Sequence, residues 1–301
     1  MRRIALAAAF ILSALVLAVF ASACFDKGGK GETLIRIGFN PSENTDSVTV
    51  NGQAFSDYLT AKTGLKTRVY VASGYAAVVE ALAHKQIEFS WIPPFSLIQA
   101  EKLCKALPLL KIVRKGSDVY YGGIIVRKDS PYQTIEDLKG KDIAWPDVAS
   151  ASGHIFPKAA VMAKDINVET FFNRELFAGG HDKVVLAVLT GQVAAGGTFM
   201  NNGEGTDGSW NRFYKDRSGE IRALLVTKPI PNDVFATTED FAKKNPEIVK
   251  KIIDALYEMT KDPQGKEILQ KLYGIDGLAE AKQSDFDVVR DAARFTNIWK
   301  R

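Results

Sequence analysis

Apolar residues run almost without interruption from Ile4 to Phe20, whereas from Leu34 onward they recur in short strand-length and helix-length bursts. The change marks where a targeting segment ends and a folded body begins. In that body LIRIGFNP alternates like a strand and stops at Pro41, and NPSENTDS supplies turn residues. FSDYLTAKTG predicts a helix closing at Gly64, LKTRVYVAS a second strand, and GYAAVVEALAHKQ a helix with Tyr75 in its first turn. FSWIPPFSLIQAEK predicts a strand over Phe89–Ile92, broken by Pro93 and Pro94 before another helix. This strand, helix, strand order predicts an α/β fold with a largely parallel sheet covered on both faces and ligands beyond the strand ends. Asn40, Ser42, Tyr75, Trp91 and Phe95 fall near such ends, where each alone is as readily a packing or capping residue as a ligand contact.

Further strands are predicted over residues 109–113 and 120–126. Because alternate strand residues face opposite ways, one of Tyr120 and Tyr121 packs while the other presents its hydroxyl to a cleft. TIEDLKG reads as a short helix, DIAWPD as a strand, HIFPKAAVMAKD as a helix and residues 167–172 as a strand. Gly179 and Gly180 make a turn before the helix of HDKVVLAVL, and QVAAGGTFM is a strand followed by the exposed polar loop NGEGTDG. IRALLVTKPIPNDVFATT gives a strand, prolines and an acidic turn at Asp233, and the remainder is mainly amphipathic helix with solvated Lys and Glu faces.

WPDVASASGHIFP joins a strand end to a helix through small residues. Ser150, Ser152 and Gly153 place two hydroxyls and free backbone N–H groups at a helix start, where unpaired donors and the macrodipole favour an oxyanion. The plainer reading makes Ser150 or Ser152 an N-cap and Gly153 a turn residue. His181 lies just before a helix and is placed either to meet an oxyanion or simply at the surface. Asn201 and Asn202 offer amides from the polar loop.

At 301 residues the chain is long enough for two lobes. A net charge of +4 with scattered basic residues gives no footprint for nucleic acid. Met1, Arg2 and Arg3, the apolar run and Ala21-Ser22-Ala23 before Cys24 resemble a bacterial lipoprotein signal peptide. On that reading residues 1–23 are removed, Cys24 carries lipid, and residues 24–33, rich in glycine, are a flexible tether. A retained membrane helix and plain secretion after Ala23 are the alternatives. With Cys24 lipidated, Cys104 has no disulfide partner and reads as a buried small hydrophobe, with a reactive thiol as the other reading. No compact metal-ligand spacing occurs, and the polar loop lacks the alternating acids of a calcium loop.

Ser150, Ser152, His154 and His181 invite a serine hydrolase, but there is no G-x-S-x-G elbow and no identified acid to orient either histidine. ASASGH also lacks the lysine and long glycine loop of a nucleotide motif. The ordered set IRIGFNPSE, VYVASGYAAVVEAL, IEFSWIPPFSLIQA, VYYGGIIVRKDSPYQTIEDLKGKDIAWPDVASASGHIFP, GGHDKVVLAVLTGQVAAG and PIPND resembles the substrate-binding components of phosphonate, phosphite or phosphate ABC transporters. These belong to the type II periplasmic binding proteins, whose two α/β lobes have mixed sheets and a two-segment hinge.

The resemblance implies capture of a small phosphorus oxyanion between lobes and delivery to a membrane permease, without catalysis or a cofactor. It places the lipid-anchored body outside the cytoplasm in the cell envelope, as a monomer with no nucleic-acid partner. Residues 34–122 and 228–301 would form one lobe and 123–227 the other, with crossovers near 122–127 and 225–231. The anion-holding roles fall by resemblance to Ser150, Ser152, His181, Tyr75 and Tyr121, and Trp91, from its strand-end position, is also expected to bind ligand. Asp233 is the acid that would face an amino group, with Asn201 or Asn202 in the neighbouring polar position. Ala151 stands where the family often has Thr, Pro93 where it has Gly, and GQVAAG lacks the acid of GxVD, so the motif supports oxyanion capture more strongly than any one oxyanion. A binding protein for another small polar solute is the alternative, with a serine hydrolase more remote and a surface adhesin more remote still.

Overall fold

The computed structural model describes residues 33–40 and 45–298, so Cys24, the tether and Ser42 lie outside it. From Leu34 the chain forms one compact body. Its first sheet takes strands β1 (Leu34–Phe39), β2 (Lys66–Val71), β3 (Phe89–Ile92) and β4 (Ala106–Val113). The second takes β5 (Val119–Arg127), β6 (Asp142–Trp145), β7 (Arg174–Phe177), β8 (Ala195–Met200) and β9 (Ile221–Pro231). The chain then returns to the first sheet with β10 (Val234–Thr238) and β11 (Gly277–Glu280). Strand orders are β11-β4-β10-β3-β1-β2 and β7-β6-β8-β5-β9.

Both sheets are mixed. β1 pairs in parallel with β2 and β3, and β6 with β7 and β8, as the strand, helix, strand pattern predicts. β10 lies antiparallel between β3 and β4, and β5 antiparallel between β8 and β9, which corrects the expectation of a largely parallel sheet. These strands enter their sheets from the other half of the molecule, so no right-handed helical crossover sets their direction. The links between sheets are residues 114–118 and 232–233, whereas the expected crossovers at 122–127 and 225–231 fall within β5 and β9. The links touch: Asn232 donates from its backbone N to Asp118 O at 2.9 Å and from Nδ2 to Ser117 O at 3.1 Å.

Helix α1 (Thr45–Thr63) begins well before FSDYLTAKTG, because Val48, Phe55 and Leu59 form one buried stripe against the first sheet. α2 (Tyr75–Ala83) buries Val78, Val79 and Leu82. Pro94 opens α3 (Pro94–Cys104), where its missing N–H is one the helix start cannot pair anyway. Cys104 is half-buried, its Sγ 3.2 Å from Ala100 O, and burial pushes its thiol up, away from the reactive thiolate. Residues 167–172 are not a strand: the Asn167 side chain accepts from Glu169 N and caps a short helix over Val168–Phe171. Val168, Phe171 and Phe172 all enter the core, which a flat alternating strand would not allow.

One apolar cluster joins Val78, Leu97, Tyr75, Tyr120, Ala151 and Phe156 to Val289 and Ala293 of the last helix, Asp287–Phe295. It lies against the small-residue turn from both sheets. Among the described residues no helix is long and apolar enough to cross a membrane.

Candidate functional site

Elements from both sheets line a cavity of about 390 Å³, a size suited to a small ligand. At its inner end Ser150 caps the turn over Ala151–Ile155, its Oγ accepting from Gly153 N at 3.0 Å. The Ser150 carbonyl receives His154 N at 3.1 Å and Ile155 N at 3.0 Å, which widens the turn before the helix Phe156–Met162 takes over. Ser150 is therefore both the N-cap of the plainer sequence reading and a cavity residue. An oxygen accepting through one lone pair keeps its own O–H to donate.

The turn can reach this place because it lies on glycine. A Cβ on Gly122 would clash with the Ser152 backbone, and one on Gly197 with Gly153 O and the Trp145 ring. Gly122 of YYGG and Gly197 of AAGGTF are thus the floor on which the turn rests.

His181 opens the helix His181–Leu189 and is buried. Its Nδ1 lies 2.9 Å from Thr198 Oγ1, which donates to Ser209 Oγ at 2.7 Å, and its Nε2 lies 3.5 Å from Ser150 Oγ. Burial first, and the positive charge of Arg114 second, push the imidazole down to about 3, so the ring is neutral near pH 7. Tyr75 and Tyr120 are buried at the same end. Burial and then the Asp233 carboxylate raise both phenols, while hydrogen bonds with Ser150 and Ser152 respectively act the other way. Both hydroxyls therefore keep their protons and serve as donors.

The outer end is lined by charge. Arg114 donates from Nε to Tyr273 O at 2.9 Å and stands 3.6 Å from Asp233. Burial raises Asp233, and the Arg114 guanidinium opposes that rise. Lys115 pairs with Asp207, which also accepts from Asn201 Nδ2 at 3.1 Å. Arg212 and Asp276 complete this rim.

Of the residues singled out by sequence, Tyr75, Ser150, Ser152, His181, Asn201 and Asp233 line the cavity together. Two do not. Tyr121 points away and packs in the apolar cluster behind β8, beside Gly203. Tyr120, the other member of the pair, lines the cavity instead. Trp91 is fully buried in the core of the first sheet, its ring 4.8 Å from Phe235. Asn202 holds its own loop, donating to Thr206 Oγ1 at 2.7 Å, and His154 sits under the turn with Nδ1 2.8 Å from Val148 O. Sequence reading missed Arg114, Lys115, Asp207 and Arg212. For the first two a signal was present, since a basic pair directly after a strand lies where open α/β sheets bind ligands.

The family model for the periplasmic substrate-binding protein of phosphonate ABC transporters matches residues 37–286. The phosphonates-binding periplasmic protein of Escherichia coli K12 is 25% identical over 246 residues, covering 80% of this chain and 70% of that protein. The phosphate-import protein PhnD of Mycolicibacterium smegmatis is 25% identical over 227 residues, covering 70% and 67%. The fold is shared with PhnD1 of Prochlorococcus marinus, solved in complex with methylphosphonate: TM-score 0.76 at 17% identity, covering 89% of this chain and 100% of that one.

Proposed function

This chain belongs to the family of periplasmic substrate-binding proteins of phosphonate ABC transporters, and from that premise we propose that its cavity seats a small phosphorus oxyanion on the Ser150–Ser152 turn. The observation that carries the reading is the convergence there of Ser150, Ser152, Tyr75, Tyr120 and His181 at a helix start. In this buried setting hydroxyl and backbone donors replace the hydration shell of the anion, and the helix dipole adds a favourable field. A substituent on phosphorus would extend toward Asn201, Arg114 and Asp233, meeting Asp233 as half of an ion pair and not as an open carboxylate.

Capture needs no chemistry on the ligand, and delivery to a membrane permease follows from the family. The links at 114–118 and 232–233 are proposed as the hinge, because all chain passing between the sheets runs through them. An anion contacting both sides favours the closed arrangement by its greater affinity for that state. The apolar run and ASAC sequence support lipid attachment at Cys24, with a monomeric body held beside the permease.

Calorimetric titration of the purified protein with phosphite, phosphate, methylphosphonate and aminoethylphosphonate tests the reading. At least one should bind at micromolar or tighter dissociation constant; binding of none would overturn it. A thermal-shift screen of other small polar solutes then separates the alternative, since a ligand of the native state raises stability by mass action.

A further inference from the structure

Thr198 has one hydroxyl proton, and it goes to Ser209 Oγ at 2.7 Å. Its oxygen therefore meets His181 Nδ1, 2.9 Å away, as an acceptor, and Nδ1 must carry the ring proton. In the neutral ring this leaves Nε2 with a lone pair at the cavity end of the ring, where the nearest donor, Ser150 Oγ, stands 3.5 Å away, too far for a strong hydrogen bond. Building on the phosphorus-oxyanion reading, we propose that His181 acts as a hydrogen-bond acceptor, so that the site selects an oxyanion still carrying one acidic O–H over oxyanions with none.

The surrounding groups fit this assignment. Ser150 and Ser152 from the turn, Tyr75 from α2 and Tyr120 from β5 supply hydroxyl donors for the unprotonated oxygens. Arg114 after β4 places a positive charge near the ring and disfavours an imidazolium, as burial does. Arg212 from the short helix Ser209–Phe213 adds a second positive group to the cavity wall. Of the carboxylates that line the cavity, Asp233 and Asp207 are paired with Arg114 and Lys115, and Asp276 accepts from the Lys115 backbone N and from Gln270 Nε2. A phosphonate monoanion has both kinds of oxygen: two to receive the donors and one P–O–H to donate to Nε2. A sulfonate of the same shape and charge has three acceptors, one of which would face the Nε2 lone pair. A buried polar group left facing its own kind is the costly case in recognition.

Methylphosphonate and methanesulfonate are the probes, titrated calorimetrically into the purified protein. Near pH 6, where both are monoanions, methylphosphonate should bind at least about 100-fold tighter. Above its second ionisation, runs in buffers of different ionisation enthalpy should show about one proton taken up per ligand bound, and below it none. His181→Gln, whose amide can turn its N–H toward the ligand, should narrow the gap about tenfold or more. The proposal falls if wild-type protein binds the two ligands within about tenfold, or binds methylphosphonate above its second ionisation without proton uptake. Binding of neither ligand overturns the phosphorus-oxyanion reading itself, and the His181 assignment with it.

Discussion

The His181 imidazole is held from behind by Thr198, whose Oγ1 lies 2.9 Å from Nδ1, while the opposite nitrogen turns toward Ser150 and the cavity. Thr198 does not line the cavity, so it acts through the ring as a positioning residue. Thr198→Val keeps the shape and removes the acceptor. It should weaken methylphosphonate binding about 5-fold or more, at roughly 1 kcal/mol for a lost hydrogen bond. The readout beyond affinity is nitrogen NMR of the ring: a fixed Nδ1–H tautomer in the wild type should become a mixture in the variant.

The two adjacent tyrosines make an internal control. Tyr120 faces the cavity and Tyr121 packs behind β8. Tyr120→Phe should weaken oxyanion binding by about 0.5–1.5 kcal/mol, whereas Tyr121→Phe should leave the dissociation constant within about twofold. Paired titrations against the same ligand decide it; equal losses from both would mean that the cavity-facing assignment is wrong.

Gly122 is required by space, since any Cβ there meets the Ser152 backbone. Gly122→Ala should destabilise the protein by about 1–3 kcal/mol, as overpacking does. It should also push the turn out of place and lower affinity more than a surface control such as Gly219→Ala, where a Cβ meets nothing within 4 Å. Urea unfolding and calorimetry on both variants supply the comparison.

His181 also makes stability depend on pH. Its folded pKa of about 3 lies below the 6.5 of an ordinary histidine. Above pH 6.5 neither folded nor unfolded ring is protonated, and its contribution is fully present. As pH falls from 6.5 toward 3, the unfolded chain takes up a proton that the native ring refuses, and stability is lost. The slope from this group approaches about 1.4 kcal/mol per pH unit at most. Urea unfolding between pH 7 and 5 should therefore show a steeper loss in wild type than in His181→Gln; parallel slopes would remove the buried neutral ring.

Much of the frame was legible in the chain order. Alternating strand and helix segments, Pro94 at a helix start, and the small-residue run after Trp145 are local features, and local sterics and hydrogen bonding fix them wherever the segment sits. The short helix at 168–171 was misread for the same reason: Val and Phe favour strands locally, yet Asn167 capping and core burial outweighed that preference.

What the sequence determined by itself was the small-residue turn, the two hydroxyls in it, the histidine opening a helix and the family to which these point. The tertiary structure decided which tyrosine lines the cavity: Tyr120 joins the cluster of Tyr75 and Ala151, while Tyr121 packs against the cluster of Ile125 and Met200. It also buried Trp91 against Phe235 and brought Arg114 to Asp233, from segments more than a hundred residues apart. Periodicity states that two faces differ; only the packing of distant strands settles which face meets the ligand.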